Sequence, residues 1–318
     1  MNELVGIFTS AVLPIVAIAG VGFVLGRTKD VDPGSLNTAV VYVLAPALVF
    51  HSLALTALSA GTLARIAGGV VLFTLSMVAV GEVIGRALGT EEPLLSALLL
   101  VAIFSNSGNL GIPVSDFAFG DVGRQTAVLF LSVQSVLMYT VGVYLASRSG
   151  GSSGLSGVKK VFFVPLVYAV VAALLARAAD VVPPAGSATM EAVGLVGDSS
   201  IPVMLLILGI ELSRTDYGGA LASTAVPAAM RLALAPLLGL AIVTVLGFEN
   251  QTVARVFVLE TAMPAAITPL ILVVEFAGSD TEGITAPELI STSVLVTTIV
   301  SVPYLTLVIA LLQSGLLI

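Results

Sequence analysis

Ser105-Asn106-Ser107-Gly108-Asn109-Leu110-Gly111-Ile112-Pro113 interrupts an apolar run that starts at Leu98, and Glu260-Thr261-Ala262-Met263-Pro264-Ala265-Ala266-Ile267-Thr268-Pro269 interrupts another after Val256-Phe257-Val258-Leu259. Apolar residues resume after each cut, and the two runs close alike, on Phe117-Ala118-Phe119-Gly120 and Glu275-Phe276-Ala277-Gly278. Glycine costs about 1 kcal/mol and proline about 3 in a helix interior, so both centres are predicted to unwind. Freed backbone N–H and C=O groups find no partner in hydrocarbon and must face protein, water or a ligand. A lone proline, as at Pro14, Pro46, Pro165 or Pro236, needs only a tolerated kink. Two dense breaks at matching places are the sequence pointer to a transporter binding site.

The setting of these breaks is a membrane. Of 318 residues 58% are hydrophobic and only 10% charged, and the mean hydropathy is +1.13. A soluble domain carries about 25% charge, so the chain reads as an all-α integral membrane protein. A helix crossing about 30 Å of hydrocarbon needs roughly 20 apolar residues. Ten stretches qualify, near 4–26, 36–56, 63–86, 94–119, 124–147, 161–180, 192–212, 221–247, 252–277 and 286–312. The first carries Glu3 and no basic residue before a long apolar run, which suits a retained span better than a signal peptide.

Five spans (1–147) precede the Gly/Ser-rich linker 148–160 and five (161–318) follow it. An odd number per half makes the second half enter from the opposite face, so related halves form two inverted five-helix repeats. The breaks fall in spans 4 and 9, the fourth of each half. Basic residues in short loops prefer the cytoplasmic side. Arg27, Lys29, Arg86, Arg148, Lys159, Lys160 and Arg214 follow odd spans, against Arg65, Arg124, Arg177 and Arg255 on the other side. Both termini are therefore expected outside the cell membrane.

Several classes drop out. The chain has no cysteine and one histidine, His51, which removes disulfide frameworks, thiolate nucleophiles and multi-histidine metal sites. The net charge of -7, from 19 acids and 12 bases, offers no nucleic-acid face. Gly150-Gly151-Ser152-Ser153-Gly154 matches G-x-S-x-G, but in a linker with no later histidine. No nucleotide-binding loop or H-E-x-x-H helix occurs. The chain is read as a non-enzyme without cofactor. A passive anion channel stays open as an alternative, because broken helices also line filters.

Asn106-Ser107-Gly108-Asn109-Leu110-Gly111-Ile112-Pro113 resembles the N-x-G-N-x-G-x-P stretch of the auxin efflux carrier family, and Ala262-Met263-Pro264 is similar to its ninth-span signature. That family includes auxin exporters and malate or malonate permeases, and its fold is similar to that of bile acid sodium symporters. The resemblance implies a secondary carrier for a small organic anion, usually a carboxylate, with spans 4 and 9 crossing at the site. It also implies a core of spans 3, 4, 5, 8, 9 and 10 moving against spans 1, 2, 6 and 7, and it allows a homodimer.

Substrate contacts are accordingly expected from Asn106, Asn109, Gly111, Pro113, Met263, Pro264 and Thr268, through unwound amides and half-helix N-termini. Arg231 lies mid-span and either attracts the carboxylate or forms a packing ion pair with Glu260. Ionisable residues within spans are functional candidates. By similarity to the sodium symporters, Ser105, Asn106, Glu260 and Thr261 form a candidate Na⁺ site; a proton on Glu260, or no coupling ion, remains open. Gln134 and Tyr139 are polar residues of span 5, and spacing alone does not bring them to the site. Asp198 is read as interfacial or vestibular, and Glu82, Glu211 and Glu275 as interfacial.

Overall fold

The computed structural model describes residues 2–29, 31–148, 164–214, 221–276 and 284–318. Most of the expected linker, with Lys159 and Lys160, lies outside the described residues, as does the side chain of Glu275. Seven described helices are long and apolar enough to cross a membrane. They are α1 (Val5–Thr28), α2 (Pro33–Ala54), α3 (Ala60–Ala87), α5 (Ser107–Ser147), α7 (Ala188–Arg214), α8 (Leu221–Leu246) and α11 (Ala286–Gln313). Four shorter helices join them: α4 (Leu94–Ile103), α6 (Pro165–Ala178), α9 (Gln251–Ala262) and α10 (Thr268–Phe276). Among the described residues there is no strand beyond one bridge, between Ser105 and Ala265.

Local signals explain the ends. Asp32 caps α2, accepting from the Gly34 and Ser35 amides at 3.1 and 2.9 Å and from the Ser35 hydroxyl at 2.7 Å. The Ser35 hydroxyl first, then those amides, holds the Asp32 carboxyl below its usual value. Ser59 and Ser187 cap α3 and α7, and Thr285 with Glu288 closes a reciprocal box on α11. Pro14, Pro46, Pro113 and Pro236 each follow a widened helical turn, at 8–12, 40–44, 107–111 and 230–234. A proline ring clashes with the carbonyl four residues back, and a wider turn relieves that clash.

At 1.5 Å per residue, the 41 residues of α5 would run about 60 Å if straight, twice the hydrocarbon thickness. Gly120 breaks it, with φ 62° and ψ −152°, a conformation that only glycine adopts readily.

The helices pack as two groups. In one, α7 lies along α1, and α2 packs on α6 and α7. Glycines bring the first pair into backbone contact: a Cβ on Gly22 would sit 2.9 Å from the Leu206 Cα, and one on Gly209 2.7 Å from the Phe23 amide nitrogen. In the other, α3 packs on α4, α5 and α8, α9 packs on α5 and α8, and α11 covers α4, α9 and α10. Gly81 sets the α3–α4 distance, since a Cβ there would lie 2.6 Å from Leu99. Many large apolar side chains, such as Val83, Leu195 and Val245, are exposed, as lipid-facing surfaces require.

Candidate functional site: the crossing of two broken helices

The chain unwinds at Phe104–Asn106 and Met263–Ile267. The first opening is shorter and earlier than the sequence suggests, because helix resumes at Ser107 and takes Gly108, Asn109, Gly111 and Pro113 into its first turns. Pro113 is tolerated because it follows the widened turn 107–111, which relieves the clash of its ring with the preceding turn. The two openings satisfy each other. The Asn106 amide donates to the Pro264 carbonyl at 2.8 Å, and the Ala266 amide donates to the Phe104 carbonyl at 3.0 Å. The two openings thus meet as a short antiparallel bridge centred on Ser105 and Ala265.

Side chains complete the crossing. Gln134 Nε2 donates to the Ser105 carbonyl at 2.9 Å, while its Oε1 accepts from the Ser105 hydroxyl at 2.9 Å and amide at 3.3 Å. Thr297 Oγ1 accepts from the Ala265 amide at 3.1 Å. Arg231 is fully buried between the ends of α4 and α9. Its Nη1 donates to the Ala102 and Ile103 carbonyls, both at 2.9 Å, and its Nη2 to the Thr261 carbonyl. The last carbonyls of a helix lack intrahelical partners and carry partial negative charge, so one guanidinium serves both C-termini. Its Cζ also lies 5.7 Å from the Phe73 ring centre.

Behind the crossing lies Glu260, also fully buried. Ser115 donates to its Oε1 at 2.8 Å, and its Oε2 has no hydrogen-bond partner among the described residues. Gly111 packs directly on the carboxyl, where a Cβ would be 2.8 Å from Oε1. The Ser107 hydroxyl, bonded to that of Ser105 at 2.7 Å, lies next to it.

On the other side of the crossing is a cavity of about 210 Å³. The first turns of α5 and α10 reach it through Gly108, Asn109 and Thr268, and the unwound stretches before them through Asn106, Ala266 and Ile267. Gln134, Ser135 and Tyr139 of α5 line it, and so do Asn37 of α2, Leu166 of α6, and Met204 and Glu211 of α7. It therefore lies between the two helix groups. Asn106 is 9% exposed, and its side chain makes no hydrogen bond to any described residue.

Of the residues singled out above, Ser105, Asn106, Asn109, Gln134, Tyr139 and Thr268 line the cavity, and so does Glu211, which the sequence places only at an interface. Gly111, Pro113, Met263, Pro264, Arg231, Glu260 and Thr261 stand outside its lining, in or behind the crossing. Thr261 Oγ1 donates to the Val258 carbonyl of its own helix. His51 packs against Gly194 of α7, and Asp198 pairs with Arg124 at 2.7 Å. Ser107 and Ser115, the Glu260 neighbours, were not singled out. Their signal was the four-residue spacing Ser107, Gly111, Ser115, a stripe of small residues on one helix face.

Long apolar helices, together with two paired helix breaks that meet beside a cavity, define a multi-pass membrane protein of transporter type. The profile of the membrane transport protein family matches residues 7–309, and the chain belongs to that family, the auxin efflux carriers of the resemblance above. It is 27% identical to a protein named only as a transporter from Methanothermobacter thermautotrophicus, over 84% of this chain and 88% of that one. A transporter of Methanocaldococcus jannaschii is 24% identical over 82% and 86%. A Rhizobium meliloti protein, whose name provisionally assigns it to malonate transport, is 22% identical over 96% of both chains.

Proposed function

We propose that the chain is a secondary carrier that moves a small organic carboxylate by alternating access, with the cavity at the crossing as its binding site. The observation that carries this reading is the placement of two helix N-termini and the buried, unpartnered Asn106 side chain on one cavity. Helix N-termini favour anions. The cavity is below the roughly 300–1,000 Å³ of sites for drug-sized ligands, which suits a small substrate. In this reading the helices make ten spans in two inverted repeats: α4 with α5 up to Gly120 is span 4, the rest of α5 is span 5, and α9 with α10 is span 9. Purified protein in liposomes should exchange labelled against unlabelled carboxylate and saturate, unlike a channel. Asn106→Ala combined with Asn109→Ala should cut exchange at least tenfold with an unchanged melting temperature. Wild-type exchange by that double variant would remove the cavity as the site.

The helix groups supply the moving parts: α3–α5 with α8–α11 shift against α1, α2, α6 and α7. The cavity reaches Asn37 near the start of α2 and Glu211 near the end of α7, on the side of the basic loops, so the state described faces the cytoplasm. On the opposite side, Arg124 of the first group bridges Asp116 at 2.9 Å and Asp198 of the second at 2.7 Å. Asp198→Asn should loosen that closed side. In this cysteine-free chain, a single cysteine at Gln125 should then label at least threefold faster from outside. Unchanged labelling would exclude the ion pair as a latch.

A further inference from the structure

We infer that the carrier selects carboxylates with one negative charge and an apolar body over dicarboxylates, an inference that rests on the cavity being the substrate site. The argument is a charge balance. Each helix N-terminus contributes roughly half a positive charge, so the first turns of α5 and α10 together match about one carboxylate. Asn106 adds neutral donors, and its buried, unpartnered amide shows that the site is built for a polar ligand. Among the described residues no lysine, arginine or histidine lines the cavity, and the one acidic lining residue, Glu211, adds no positive charge. Arg231, buried outside that lining, turns both Nη groups to the carbonyls of Ala102, Ile103 and Thr261. A second carboxylate would therefore enter a desolvated site with no counter-charge, which is strongly unfavourable.

The rest of the lining fits an apolar body. Leu131, Met138, Met204, Ile267 and Ile271 form the walls beyond the polar turns. A dicarboxylate enters on equal terms only with one carboxyl protonated.

Matched pairs of probes test this on the purified full chain: monomethyl malonate against malonate, and phenylacetate against homophthalate, which is the same ring acid with a second carboxylate. Thermal shift gives binding, since a ligand of the folded state raises stability with occupancy, and counterflow in liposomes gives transport. At neutral pH the single acid of each pair should bind at least tenfold tighter. Acidification should narrow the malonate gap, and Ser135→Lys, which sets a cation on the cavity wall, should shift preference toward the dianions. Equal or tighter binding of both dianions by the wild type overturns the inference while leaving the carboxylate site standing. Failure of all four acids to bind or exchange overturns the site itself, and the inference with it.

Discussion

Arg231→Met should destabilise the protein by roughly 3 kcal/mol or more, the largest stability loss expected of any single substitution at the crossing. Methionine fills similar volume but leaves the carbonyls of Ala102, Ile103 and Thr261 without the donors that now serve them. A buried polar group stripped of its partner costs about 1–3 kcal/mol. The substitution also removes the cation lying between two helix C-termini, where partial negative charges converge. Arg231→Lys should recover only part of the loss, because an ammonium carries the charge without the planar fork that reaches both helices. Thermal unfolding in detergent, read alongside carboxylate binding, separates this role from substrate contact. Arg231→Met that melts like the wild type yet loses binding would show that Arg231 holds substrate instead of the crossing.

The helices were legible in the sequence because lipid demands long apolar runs, and a span cannot hide among amphipathic patterns. The breaks were legible for the same reason: Gly108, Gly111 and Pro113, or Pro264 and Pro269, are expensive in a helix wherever it lies. Their extent was not. Whether proline opens a helix or starts one depends on which neighbouring turn is already unpaired, and here the pairing of Asn106 with Pro264 decides it. Partners across the chain were equally invisible. Arg231 lies 128 residues from Ile103, and Gln134 meets Ser105 only through packing of helices on either side of a bend. Spacing along one helix reveals which residues share a face, but not what that face meets. The cavity illustrates the limit: Asn37 and Met204 come from the other helix group with no local signal to mark them, and Glu211, visible as an acid near a span end, carried no sign that it meets the cavity.

Glu260→Gln should leave carboxylate exchange intact while reducing ion-driven accumulation to the level of simple equilibration. An ionised carboxylate buried in a membrane protein needs a cation beside it or a proton on it, and Glu260 has one hydrogen bond, from Ser115, with Oε2 unpaired. Glutamine keeps the shape and can still accept from Ser115, so folding should survive while the charge that answers to a cation is gone. Gly111→Ala probes the same point from the other side. Its methyl would overlap the carboxyl, with Oε1 2.8 Å away and Oε2 nearer still, and the backbone that must give way opens the helix leading to the cavity. That variant should lose exchange and accumulation together, by at least tenfold. In wild-type liposomes, collapsing a sodium gradient and a proton gradient in turn identifies the ion that drives accumulation, and loss of sensitivity to that gradient in Glu260→Gln ties it to this carboxyl. Accumulation by Glu260→Gln equal to the wild type would place coupling elsewhere, and the buried carboxyl would then be a packing element held by Ser115 alone.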